Sequence, residues 1–113
     1  MMPHIIIEYS SNLLPHLNVQ TLTEELHGAL DGLYNVTQNR LKTRAIRLDD
    51  FLVGINGKSG KMVHITLKLL TGRTTEARKE MGEILASVTK KFIPAETALT
   101  VEIVELDKET YFA

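Results

Sequence analysis

Two groups of residues in this 113-residue chain have types and spacings that can do chemistry. The first is Pro3, at the mouth of the apolar run Ile5-Ile6-Ile7. Taken alone it has a structural explanation, because proline is tolerated at the first position of a strand. The second is a set of cations: Lys42, Arg44 and Arg47 in one segment, Lys68 and Arg73 in another. On a strand, alternation sends Lys42 and Arg44 to one face and Arg47 to the other. Arg73 stands just before a predicted helix, where a cation opposes the helix dipole. An arginine beside free backbone amides is placed to grip a carboxylate through two parallel N–H bonds. A solvated loop arginine satisfies the same pattern.

Other constellations fail on spacing. Gly57-Lys58-Ser59 has the end of a phosphate-binding loop, but that motif needs a glycine where Leu52 stands and a helix where a strand follows. The segment is therefore a turn between strands, and no nucleotide site is expected. His4, His16, His27 and His64 lack the short spacings that bring two imidazoles onto one metal, so no metal site is expected. His4 and His64 occupy equivalent positions near strand starts, which suits packing or hydrogen bonding. No serine sits in a nucleophile elbow.

Composition narrows the classes further. Thirteen basic and fourteen acidic residues leave a net charge of −1, giving no overall attraction to nucleic acid or an anionic membrane. There is no cysteine, which excludes disulfides, thiolate nucleophiles and sulfur-ligated metals. The apolar fraction of 43% is too high for a disordered chain. The run at Ile5-Ile6-Ile7 is far too short for a signal peptide or a membrane span. The expectation is one domain over 1–113, soluble and cytoplasmic.

Periodicity supplies the elements that must position the cations. His4–Ser10 is rich in β-branched residues and predicts a strand buried on both faces. Thr21-Leu22-Thr23-Glu24 fits a capping box, and Leu22, Leu26, Ala29, Leu30 and Leu33 continue as a helical stripe. A second strand is expected over 41–53, bent near Asp49-Asp50, followed by a turn over 54–60. A third strand covers Met62–Leu70, and Thr71-Gly72-Arg73-Thr74 breaks it. Ala77, Met81, Ile84, Leu85, Val88 and Phe92 mark a second helix, which Pro94 ends. Leu99, Val101 and Ile103 alternate in a fourth strand. Tyr111 and Phe112, in the tail, have no periodic context and suit either docking on a partner or a frayed end.

The order is β-α-β twice, with approximate repeats at 3–53 and 62–107. Pro3-His4-Ile5-Ile6-Ile7-Glu8 aligns with Val63-His64-Ile65-Thr66-Leu67-Lys68, and Ile46-Arg47-Leu48-Asp49 with Val104-Glu105-Leu106-Asp107. Each unit predicts two parallel strands and a right-handed helical crossover. The fold class is α+β, a four-stranded sheet with two helices on one face. That arrangement leaves the other face bare, which predicts that a second copy of the chain covers it.

Three segments together resemble the tautomerase superfamily, and within it the 5-carboxymethyl-2-hydroxymuconate isomerase family. They are the opening Met2-Pro3-His4-Ile5-Ile6-Ile7-Glu8, the strand Val63-His64-Ile65-Thr66-Leu67-Lys68, and the turn Gly72-Arg73-Thr74 at its matching separation. The likeness covers nearly the whole chain and departs from the family in a shorter C-terminus. It implies the tautomerase/MIF-like fold, a homotrimer in which sheets form a barrel with helices outside, and no metal or organic cofactor. It also implies that an N-terminal proline is the general base and that arginines hold substrate carboxylates. Carried over by position, Pro3 is the base and Arg73 the principal carboxylate-binding arginine. Lys42 replaces a further family arginine and Arg44 matches another basic position. Lysine offers a point charge where arginine offers a planar fork. The repeat has Leu13 and Val63 at the positions equivalent to Arg73 and Pro3, so one site per chain is expected.

The expected activity is a cofactor-independent proton shift on an unsaturated 2-hydroxy or 2-oxo carboxylate, as in aromatic degradation. The alternatives are a broad keto–enol tautomerase of phenylpyruvate-type acids and a non-catalytic oligomeric βαβ binding module. The base requires a free Pro3 nitrogen. If Met1 and Met2 both remain, that nitrogen is an amide without a basic lone pair. Removing Met1 alone leaves Met2 acylating it, so the reading requires translation from Met2.

Overall fold

β-Branched and leucine-rich runs become strands wherever a neighbour completes their hydrogen bonds, and this rule sets the boundaries. The computed structural model describes residues 3–113; Met1 and Met2, and with them the question of a free Pro3 nitrogen, lie outside the described residues. The elements are β1 (His4–Ser10), α1 (Val19–Ala29), β2 (Lys42–Leu48), β3 (Met62–Leu70), α2 (Thr75–Lys90) and β4 (Ala98–Leu106). They form one sheet in the order β2-β1-β3-β4. β1 and β2 are parallel, as are β3 and β4, while the central pair β1 and β3 is antiparallel. This is the duplicated βαβ architecture expected from the repeats.

The helices pack on one face. α1 lies on β1 and β2, α2 lies on β4, and the helices touch each other. Ile5 and Ile7 of β1 and Val63, Ile65 and Leu67 of β3 are fully buried against Leu22 and Leu26 of α1 and Met81 and Leu85 of α2. Burying each such side chain contributes about 1.5–3 kcal/mol. The opposite face is open. His4, Ile6 and Glu8 are only half-buried there, so the expected burial of β1 on both faces is not reached within one protomer. Ile46 of β2, on the same open face, is 43% exposed.

Four boundaries differ from expectation, each for a local reason. β2 stops at Leu48 rather than Val53 because its partner β1 ends at Ser10, which pairs with Leu48. Beyond the bend at Asp49-Asp50, Val53 makes only an isolated bridge to Gly57. α1 begins at Val19 because Asn18, not Thr21, is the N-cap: its side-chain oxygen accepts from the Thr21 amide at 3.0 Å. Glu24 accepts instead from the Gln20 amide group at 3.3 Å, so no capping box forms. Leu33 falls beyond the end of α1 but still packs on the core. α2 stops at Lys90, ahead of Pro94, and Phe92 reaches the core from the turn after it.

The segment after Val53 is a turn, as expected, and runs into β3 rather than a helix. Gly54 and Gly57 have φ of +52° and +57°, and a Cβ at Gly60 would lie 2.6 Å from that of Val53. Among the described residues no helix is long and apolar enough to cross a membrane.

The relocated cap has a measurable consequence. Asn18→Ala should lower unfolding stability by about 1 kcal/mol. Thr21→Ala should be neutral or slightly stabilising, since alanine is the better helix former. Denaturant unfolding of both variants decides between the two caps, and a larger loss in Thr21→Ala would restore the capping box.

Candidate active site

The pairing of β1 with both neighbours places its first residues among cations. The Pro3 carbonyl accepts from the Lys42 amide at 3.1 Å, and Pro3 is itself buried. His4 then pairs with Lys42 on one side and Lys68 on the other, and Ile6 pairs with Arg44. In-register neighbours project from the same face. Since Ile5 and Ile7 point toward the helices, His4, Lys42, Arg44 and Lys68 share the open face. Lys42 and Arg44 therefore share one face, as the alternation predicted, and the Lys42 backbone adjoins Pro3.

His4 is the hub of this cluster. Arg44 Nη1 donates to His4 Nδ1 at 3.2 Å, and His4 Nε2 lies 2.7 Å from the Tyr111 hydroxyl. The two rings meet edge to face, with centroids 6.0 Å apart. Partial burial, followed by the charges of Arg44, Lys42 and Lys68, lowers the His4 pKa from the ordinary 6.5. Both effects disfavour the imidazolium, and the three cations add a positive potential at the head of β1.

Arg73 occupies a different place. Thr74 caps α2 by accepting from the Ala77 amide at 3.1 Å, which leaves Arg73 immediately before the helix. Its Nε donates to the Tyr34 carbonyl at 3.0 Å and Nη1 to the Leu70 carbonyl at 3.5 Å. Nη2 is buried without a partner among the described residues. Burial lowers the Arg73 pKa from its ordinary value, although guanidinium remains charged at any working pH. The side chain lines a cleft of about 260 Å³ with Tyr34, Asn35, Gly72, Thr74 and Ala77. None of Pro3, Lys42 or Arg44 lines that cleft, so within one protomer the expected cations divide into two groups.

The cleft depends on an unusual turn. Tyr34 and Asn35 both have positive φ, +47° and +68°. The left-handed conformation is tolerated by asparagine and rare for tyrosine. It aims the Tyr34 carbonyl at Arg73, while the Tyr34 hydroxyl donates to Glu80 Oε1 on α2 at 2.7 Å. The hydrogen bond to Glu80 raises the Tyr34 pKa, with smaller contributions from desolvation and the Glu80 charge. Sequence reasoning did not single out this turn; an asparagine two residues after Gly32-Leu33 was the available signal.

The second repeat carries the opposite chemistry at equivalent positions. His64 Nδ1 lies 2.6 Å from Thr100 Oγ1 and His64 Nε2 lies 2.8 Å from Glu102 Oε1. Its neighbour across the central pair is Glu8, where His4 has Lys68. The paired histidines thus have hydrogen-bonding roles, as expected, but in fields of opposite sign. Tyr111 was legible only as an aromatic in a tail; it packs on its own protomer, while Phe112 remains exposed.

This arrangement has counterparts among known proteins. The family profile of 5-carboxymethyl-2-hydroxymuconate isomerase matches residues 3–112. The 5-carboxymethyl-2-hydroxymuconate Delta-isomerase of Escherichia coli is 28% identical over 110 residues, covering 93% of this chain and 87% of that protein. The crystal structure of a 5-carboxymethyl-2-hydroxymuconate isomerase from Deinococcus radiodurans R1 superposes with a TM-score of 0.87 at 28% identity, over 99% of this chain and 88% of the other. A macrophage migration inhibitory factor-like protein of Entamoeba histolytica shares the fold, with a TM-score of 0.73 at 14% identity over 100% and 96% of the two chains. The sheet and its two helices therefore form a tautomerase/MIF-like α+β fold. With the family profile spanning almost every described residue, the chain belongs to the 5-carboxymethyl-2-hydroxymuconate isomerase family and is an isomerase.

Proposed function

We propose that this isomerase moves a proton along an unsaturated 2-hydroxy or 2-oxo carboxylate of the 5-carboxymethyl-2-hydroxymuconate type, with the Pro3 nitrogen as base. The observation that carries the reading is the cation cluster beside Pro3. Burial first, and then the charges of Arg44, Lys42 and Lys68, lower the pKa of His4, one residue along the chain. A positive field at that place favours the uncharged, proton-accepting form of an amine. It also attracts carboxylates and stabilises negative charge that develops on a dienolate oxygen.

In the proposed reaction a free Pro3 amine takes the proton of the 2-hydroxyl group of the dienol or, in a 2-oxo substrate, a proton from the carbon α to the carbonyl. The electron pair moves into the conjugated system and charge builds on the oxygen. Lys42 and Arg44 hold that charge or the adjacent carboxylate, and Arg73 holds a second carboxylate. The prolinium then returns the proton at another carbon of the dienol. One group performs both transfers, so protons and electrons balance without a further reactant. Aromatic degradation is the setting, and the cytoplasm the compartment, that we propose for this activity.

We also propose a homotrimer. The open sheet face carries Ile6 and Ile46 beside its charged groups, and β2 and β4 are the edge strands of the sheet. Assembly covers the apolar part of that face and gives the edges partners. It also offers a means of bringing the Arg73 cleft of one protomer to the Pro3 cluster of another. Lys42 favours one competing reading, since a point charge selects less strictly for a second carboxylate than a fork does. That reading is a broad keto–enol tautomerase of phenylpyruvate-type acids, and relative kcat/KM on mono- and dicarboxylates separates the two.

Three measurements test these proposals. Intact mass of natively expressed protein should correspond to a chain starting at Pro3, and Pro3→Ala should lower kcat by roughly 100-fold or more. A retained N-terminal methionine in an active enzyme, or an unchanged rate in the variant, refutes the proline base. Arg73→Ala should reduce kcat/KM at least about tenfold, the loss of a charge-assisted bond of ~1.5–3 kcal/mol; a negligible effect assigns Arg73 a structural role only. Light scattering at micromolar concentration should give three times the 12.7 kDa chain mass, and a monomer refutes the trimer.

A further inference from the structure

We propose that Tyr111 is a positioning residue for the anion site on the open sheet face: its hydroxyl, acting through the His4 ring, holds Arg44 in place. β4 ends at Leu106, and the tail turns at Asp107, whose Oδ1 accepts from the Glu109 amide at 2.9 Å and whose carbonyl accepts from the Thr110 amide at 3.2 Å. This turn carries Tyr111 onto the first residue of β1, 107 positions earlier in the chain. The tail is therefore a strap over the head of the strand that follows Pro3.

Hydrogen-bond chemistry decides what the strap does. A guanidinium has donors and no acceptor, so the 3.2 Å contact from Arg44 Nη1 requires a lone pair on His4 Nδ1. A neutral imidazole with its lone pair on Nδ1 carries its proton on Nε2, and Nε2 is the atom 2.7 Å from the Tyr111 oxygen. Nε2 thus donates to tyrosine while Nδ1 accepts from arginine. Lys42 and Lys68 flank the ring and disfavour the imidazolium, which would have no acceptor for Arg44. Without the tyrosine oxygen the Nε2–H tautomer loses its partner. The competing Nδ1–H tautomer then points a donor at a donor, and Arg44 is released. With Tyr111 in place, one N–H of the Arg44 fork is fixed on His4, and the remaining donors are left for a carboxylate.

This inference rests on the proposed role of Arg44 toward substrate, and the test separates the two. Tyr111→Phe retains the edge-to-face ring contact and removes only the hydroxyl. Nitrogen-15 spectra of the His4 ring should show a protonated Nε2 in the wild type and a mixture of tautomers in the variant. With 2-hydroxymuconate as dicarboxylate probe, KM should rise about three- to tenfold while kcat stays within about twofold, the scale of one neutral hydrogen bond. Tyr111→Leu, which lacks both ring and hydroxyl, should produce the same ring spectrum and at least the same KM. A thermal midpoint within about 2 °C of wild type in Tyr111→Phe excludes loss of fold as the cause. An unchanged ring spectrum overturns the strap. A changed spectrum with unchanged KM overturns the link from His4 through Arg44 to substrate. If wild-type protein turns over neither this probe nor a phenylpyruvate-type acid, the proposed reaction fails, and the ring spectra alone still decide whether Tyr111 sets the tautomer.

Discussion

The antiparallel register of β1 with β3 is the constraint on which the rest of the molecule depends. Pairing His4 with Lys68 and Glu8 with His64 sends Ile5, Ile7, Val63, Ile65 and Leu67 to the helix side together. A slip of one residue would turn one strand's apolar set to the open face and put its charges against the helices, so burial strongly enforces this alignment. The same register gathers the cations of the proposed site. It places Lys68 beside His4, and the parallel pairing with β2 adds Lys42 and then Arg44. No loop has to be ordered to gather these cations, because the pleat of three strands does it.

The duplication explains why the open face has a single cationic end. Both repeats place a histidine at the second position of the alignment, and both surround it with residues from two neighbouring strands. In the first repeat the neighbours are Lys42, Arg44 and Lys68; in the second they are Thr100, Glu102 and Glu8. The backbone frame is the same and the sign of the charge is reversed. The cationic end is therefore the Pro3 end, and the other repeat has neither a proline nor an arginine at the equivalent positions. A face with one positive and one negative quadrant is also self-complementary when turned toward another copy of itself.

Much of this was legible in the sequence because it depends on short periodicities. The bounds of β1 and β3 matched their patterns, since alternating or continuous apolar runs with clear breakers leave little choice, although β1 is buried on one face only within a protomer. The ends of β2 and α1 were less legible. β2 ends where β1 runs out, a fact about its partner, and the α1 cap was a competition between Asn18 and Thr21 that local pattern alone does not decide. For the site, alternation correctly put Lys42 and Arg44 on one face. It could not show that Arg73 lies in a separate cleft with Tyr34, nor that Tyr111 returns to His4. Both contacts join residues distant in the chain through turns, at Tyr34-Asn35 and Asp107–Thr110, whose directions no periodicity encodes.

Among the cations of the proposed site, Arg73 is distinguished by its hydrogen bonding. Among the described residues three cations away from the site lie near acids, Arg47 3.1 Å from Asp49, Lys61 4.0 Å from Glu96 and Arg78 3.6 Å from Glu105, and the other surface cations, Arg40 and Lys58 among them, form no such pair. Lys42, Arg44, Lys68 and Arg73 likewise have no acidic partner among those residues. Arg73 is the extreme case. Two of its nitrogens donate to neutral carbonyls, the third is buried and unsatisfied, and burial already weighs against its charge. Leaving a donor in that state costs about 1–3 kcal/mol or more for a charged group. A carboxylate on Glu76 or Glu80 brought one turn nearer would remove the cost and also neutralise the charge available to a ligand. The cost is therefore intelligible as ground-state preparation for an external anion, which recovers in binding what the folded protein forgoes in stability.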